Sequence, residues 1–119
     1  MNRKIKFRAW NEVSEKMLNW NDFLDTNMKN TFIAPESTGL ILMQYTGLDD
    51  KNGKEIYEGD IVGDNKIKWI VKWNKHRMGF CLYPTTKQLY DEMPINVKNK
   101  LGFKILGNIY DNPELLGGE

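Results

Sequence analysis

Between Lys66 and Trp73 the chain alternates cleanly enough to dictate its fold class. Ile67, Trp69, Val71 and Trp73 fall on one face of an extended strand, and Lys66, Lys68, Ile70 and Lys72 on the other. Successive strand side chains point to opposite faces, so a period of two buries one face and wets the other. A helix would need its apolar residues three and four apart. The segment therefore reads as a strand with a tryptophan-bearing core face and a lysine-bearing solvent face.

The rest of the chain supports sheets. Ile5, Phe7 and Ala9 alternate with Lys4, Lys6, Arg8 and Trp10, and Lys16 to Trp20 can return beside them through a turn at 11–15. Leu40 to Tyr45 reads as a buried strand, and 21–37 as loop with a short helix. Asp49 to Lys54 contains Asn52-Gly53, the dipeptide suited to the positive φ of a tight hairpin. Gly59 marks a bend or bulge before Ile61 and Val62. Asn74 to Met78 turns, and Gly79 to Tyr83 pairs back until Pro84 stops it. Thr86 to Met93 reads as a short helix and Phe103 to Tyr110 as a last strand. Asn112-Pro113 has a capping residue and a first-turn proline, so one helical turn follows.

Many short strands without βαβ alternation imply a mostly β fold of antiparallel sheets. The tight hairpins from Ile56 to Tyr110 suit a small SH3-like barrel. At 119 residues the chain is expected to be one domain, with 1–55 an N-terminal β part and 56–119 the barrel-like part. A chain of this length buries roughly two-thirds of its unfolded surface and needs no disulfide or metal to hold a core. Cys81 is the only cysteine, which suits a cytoplasmic protein. The basic N-terminus lacks the apolar stretch of a signal peptide, and the run Leu40 to Met43 is far too short to cross a bilayer. No membrane association is expected.

Charge narrows the partner classes. The net charge of +1 and pI near 7.8 lack the strong basic excess of a typical nucleic-acid-binding domain. The distribution is less even. Gln44 to Asp64 carries six acids against two lysines, whereas Asn65 to Tyr90 carries six positive charges and no acid. Blocks of opposite sign suit self-complementary protein contacts. Lys66, Lys68, Lys72, Lys75 and Arg77 are the candidate contacts for a polyanion, but alternation places the strand's lysines opposite Trp69 and Trp73.

Candidate chemistries fail on their own requirements. Asp50-Lys51-Asn52-Gly53 looks like a calcium loop, yet aligning Gly53 to the invariant glycine puts Leu48 and Gly59 at two essential ligand positions. His76 and Cys81 sit across a turn, where their proximity is a by-product of the hairpin, and a nucleophilic pair also needs a third group to orient the imidazole. Cys81 reads as a small core residue and His76 as a wet turn residue. Glu55, Glu58 and Asp60 could be paired carboxylates. Asp60 instead suits a hydrogen bond to the turn backbone, and the two glutamates suit solvent. Gly117-Gly118 lacks the strand and helix of a phosphate loop. No enzyme, cofactor or metal site is expected.

Three blocks resemble one family. They are Ile5 to Trp10 with Lys16-Met17; Leu42 to Leu48 continuing through Asp50 to Val62; and Ile105 to Leu116. Together they are similar to the YopX-like proteins of temperate phages and prophages of low-GC Gram-positive bacteria. Asn11 stands where such proteins often carry Asp. The resemblance implies phage or prophage origin, a mostly β fold with a barrel-like part, and homo-oligomerisation. It implies no activity, the family being of unknown function, and supplies no site residues. Gly47, Asn52, Gly53, Gly59 and Asp60 are expected to serve the backbone of the central block, with Gly107 doing the same near the end. The leading functional expectation is a self-assembling module that binds a host or phage protein. Nucleic-acid binding through residues 66–77 is the alternative.

Overall fold

The computed structural model describes residues 4–24, 38–64, 66–85, 92–95 and 103–116, and the chain divides into two compact units, Met1–Tyr45 and Thr46–Glu119. The architecture is mostly β, with two antiparallel sheets, a half-barrel and little helix.

In the first unit, β1 (Phe7–Asn11) and β2 (Lys16–Leu18) form a hairpin with Ala9 opposite Leu18. Asn11 Oδ1 accepts from the amides of Val13 and Ser14 at 2.9 and 3.1 Å, which sets the turn locally. The strand β3 (Leu40–Asp49) pairs with the other side of β1, placing Ala9 against Leu42. From Thr46 on, β3 belongs to the second unit, where it neighbours β4 (Glu55–Tyr57). The helix α1 (Trp20–Leu24) starts where Asn19 Oδ1 accepts from the Asp22 amide at 2.8 Å. That cap ends β2 at Leu18, two residues before the end expected from the apolar pattern. Ala9, Phe23 and Leu40 form the core, with Phe7, Leu18, Trp20 and Leu42 packed against it. Ile5, expected to join this face, precedes β1 and is exposed. The expected loop over 21–37 lies outside the described residues from 25 onward.

In the second unit, β5 (Asp60–Gly63), β6 (Lys68–Asn74), β7 (Gly79–Pro84), β8 (Met93–Pro94) and β9 (Lys104–Asn108) form a sheet ordered β8-β7-β6-β5-β9, antiparallel throughout. Ile56, Val62, Trp69, Val71 and Leu82 make its core. The alternation of β6 is legible here, since Trp69 and Val71 face inward while Lys72 is exposed. The outer edge of β9 does not stay open. The Lys51 amide donates to the Phe103 carbonyl at 3.1 Å, and the Ile105 amide donates to Asp50 Oδ2 at 2.9 Å. The β3–β4 turn thereby seals a strand edge that would otherwise recruit another chain.

Four expectations are corrected. The strand β6 begins at Lys68, not Lys66, because Asp64 Oδ1 accepts from the amides of Lys66 and Ile67 at 2.8 and 2.9 Å and holds them in a turn. Trp73 is not a core residue, being 50% exposed. Met93 belongs to β8 and not to a helix, and the expected helical residues 86–91 lie outside the described residues. The face opposite Val71 is not uniformly wet. Ile61 stands opposite Ile70, and Cys81 opposite Lys72, and both Ile61 and Cys81 are buried.

Candidate functional site

The central block is built around two buried carboxylates. Asp50 is only 4% exposed. Its Oδ1 accepts from the amides of Asn52 and Lys54 at 2.9 Å each, and its Oδ2 from Ile105. The backbone closes the same turn, with Asp50 and Lys54 bonded at 2.7 Å and the Gly53 amide donating to Asp50 O at 3.0 Å. Burial works to raise the Asp50 pKa. The three amides and the Lys54 charge outweigh it and hold the carboxyl below its ordinary value. The sequence pattern marks Asp50 only as one acid of a charged block and part of an incomplete calcium loop; the structure makes it the former of its own turn. The usable signal was an Asp two residues before Asn52-Gly53, the spacing of an Asx turn.

Asp60 behaves as expected. It is buried, and its Oδ2 accepts from the Tyr57 amide at 2.8 Å, closing the bend between β4 and β5. Gly59 at that bend has φ 85°, donates to Val71 O at 2.8 Å and accepts from the Ile109 amide at 2.9 Å. Gly47 and Gly53 also have positive φ, 88° and 83°. Gly107 differs, because a Cβ there would meet Asn112 Oδ1 at 2.4 Å. Its role is space and not backbone shape. Through that space Asn112 Oδ1 accepts from the Asn108 amide at 3.1 Å, while Asn108 Oδ1 accepts from Tyr110 and Asp111 at 3.0 and 2.8 Å. This interlock ends β9 at Asn108, short of the expected Tyr110. The closing turn at Pro113–Leu116 follows as expected, in 3-10 form.

Glu55 and Glu58 are half-buried and not freely solvated, and Glu55 accepts from the Tyr57 hydroxyl at 3.3 Å. His76 is exposed, whereas Cys81 is 1% exposed with its thiol toward Gly79 O. Burial pushes that thiol up from its ordinary pKa, the opposite of what a nucleophile needs.

The basic residues separate into two groups. Lys68 and Lys72 share the outer face of β6, with Lys68 half-buried and the Lys72 ammonium 5.4 Å from the centre of the Tyr83 ring. Lys104 joins them, since Gly63 stands opposite both Lys68 and Lys104 in the ladder. Lys66 is exposed in the preceding turn. Lys75 and Arg77 are exposed in the β6–β7 turn, where Asn74 Oδ1 accepts from the His76 and Arg77 amides at 2.9 Å each. Asn74 Nδ2 also donates to the Tyr83 hydroxyl at 2.8 Å, fixing the turn to β7.

Beside these cations sits an apolar group that sequence alternation had placed inside. Trp73 stands opposite Phe80 in the ladder, with ring centroids 5.2 Å apart and an interplanar angle of 76°. Phe80 packs against the core, while Trp73 extends beyond it. Met78 is 79% exposed and takes a left-handed φ of 52° in the same turn.

Among the described residues no helix is long and apolar enough to cross a membrane. No curated protein matches the chain. Among solved structures, the crystal structure of protein EF1440 from Enterococcus faecalis is similar, with a TM-score of 0.67 and 25% sequence identity over 97% of this chain and 99% of that one. The family model described as YopX protein matches residues 6–117, nearly the whole length, and the chain belongs to the YopX family.

Proposed function

We propose that this is a phage- or prophage-encoded, non-catalytic interaction module that self-assembles and engages another protein in the bacterial cytoplasm. The observation that carries the reading is the end of the β6–β7 hairpin, where Trp73 and Met78 are held in solvent. Tryptophan and methionine are over-represented where proteins meet, and large exposed apolar side chains gathered at one place mark such sites. The charge-block argument is weaker than the sequence suggested. Asp50 and Asp60 are buried and bonded to backbone amides, so they offer little to an outside surface. The basic block keeps Lys66, Lys72, Lys75 and Arg77 exposed. Family membership supports the phage origin. Light scattering over a wide concentration range tests assembly: the average mass is expected to rise above the 14.0 kDa of one chain. A constant monomer mass at every concentration contradicts it.

A nucleic-acid reading has one observation in its favour. Trp73 is half-exposed, two and four residues before the exposed Lys75 and Arg77 in the chain, so an aromatic platform is not wholly withdrawn into the core. On this reading, affinity for single-stranded DNA or RNA falls steeply with salt as phosphate contacts release counterions. Absence of binding to either at low salt contradicts it.

A further inference from the structure

Asn52-Gly53 is the one asparagine–glycine pair in the chain, and both residues are exposed. Such a pair carries its own chemistry. The glycine amide nitrogen gives up its proton and attacks the asparagine Cγ, forming a cyclic imide, while the Cγ–Nδ2 bond breaks and ammonia leaves. Water then opens the imide at either carbonyl and leaves aspartate or isoaspartate. Nothing crowds the attacking residue, since a Cβ at Gly53 would meet nothing within 4 Å. By sequence, Asn52 is thus the side-chain amide most open to this reaction.

The folded turn opposes that chemistry. The Gly53 amide donates to the Asp50 carbonyl at 3.0 Å, so the proton that must leave is engaged. The amides on either side, Asn52 and Lys54, both donate to Asp50 Oδ1 at 2.9 Å. Three successive amides converge on one residue, and a carboxylate charge beside them disfavours the amide anion that must attack. We infer that Asn52-Gly53 is a dormant self-modification site, held closed by Asp50, that reacts only from an opened turn. Asp50 Oδ2 accepts from the Ile105 amide, so the closure is tied to β9 as well as to the turn. The reaction runs one way. Isoaspartate carries the backbone through the former side chain and adds one carbon between residues 52 and 53. The three amides then cannot all return to Asp50, and an opening event becomes a permanent loss of the turn that seals β9. The inference stands apart from what the module binds.

Incubating the native chain beside the guanidinium-unfolded chain at neutral pH tests this, with mass spectrometry and isoaspartate mapping of the peptide that contains Asn52. Conversion in the native chain is expected to be slower by about tenfold or more, because only the opened fraction reacts. Asp50→Ala removes both carboxylate oxygens and is expected to bring the folded chain most of the way to the unfolded rate. Asp50→Asn, which keeps one acceptor oxygen, falls between. Should Asp50→Ala not fold, hydrogen exchange of the wild type decides. The Gly53 amide, though exposed to solvent, is expected to exchange about tenfold or more slowly than a free amide, since the same opening governs both reactions. Native conversion at the unfolded rate overturns the inference. So does a folded Asp50→Ala chain that converts as slowly as wild type, or a Gly53 amide that exchanges at the free rate.

Discussion

Asp50 and Ile105 lie 55 residues apart in the chain, yet the Ile105 amide donates to Asp50 Oδ2 at 2.9 Å. One carboxylate thus folds its own turn with Oδ1 and caps an edge strand with Oδ2. A single side chain links the tightest local structure in the central block to a strand near the end of the chain.

Asp50→Asn is the sharpest test of that link. The amide side chain keeps one acceptor oxygen but presents a donor where Ile105 needs an acceptor. Leaving that buried amide unsatisfied costs about 1–3 kcal/mol. Chemical denaturation of wild type and variant measures it.

The same carboxylate predicts an acid limb of stability. Its pKa in the folded chain is below the ordinary 3.8, so ionised Asp50 favours the folded state above that value. Its contribution is lost as pH falls through the lower folded-state pKa. Asp50→Asn has no such proton to bind, so its stability should decline less between neutral pH and pH values below about 4. Melting curves of both proteins across that range check the difference.

Cys81 should be inert in the native state. Its thiol is buried and its pKa raised by that burial, so little thiolate meets a reagent. Alkylation by iodoacetamide near neutral pH is expected to be slow, and to become fast in denaturant. Rapid native modification would show that Cys81 is accessible and reopen it as a chemical group.

Gly107→Ala should be costly for a different reason from the turn glycines. Its Cβ would fall 2.4 Å from Asn112 Oδ1, so the asparagine must leave the Asn108 amide. Loss of that bond and repacking of the turn predict about 1–3 kcal/mol. Asn112→Ala should cost a similar amount, and the two changes together less than their sum, because they remove the same interaction.

What was legible in the sequence was local. Asn52-Gly53, Asp60 after Gly59, and Asn112-Pro113 act within a few residues, and backbone chemistry alone announces them. The alternation through Trp69 and Val71 was equally plain. Trp73 shows the limit of periodicity, which tells the face of a strand but not where the covering layer stops. The bond from Asp50 to Ile105 is set by topology, and no window of neighbouring residues contains it. Asn112 points backward to Asn108 only because Gly107 leaves room, a steric fact that composition does not carry. Met78 gave no signal at all, since a left-handed methionine departs from the turn preferences being read.

Thermal melting of Gly53→Val tests most directly the claim that the central block builds the fold and leaves contacts to the hairpin. Gly53 has φ 83°, and a Cβ there would meet nothing within 4 Å, so the penalty comes chiefly from the backbone. A β-branched residue at that φ is expected to cost about 1–3 kcal/mol, lowering the melting temperature by several degrees. Self-assembly by the fraction that remains folded should be unchanged. A Gly53→Val protein that melts like wild type but no longer assembles would make the loop a recognition element and contradict the account.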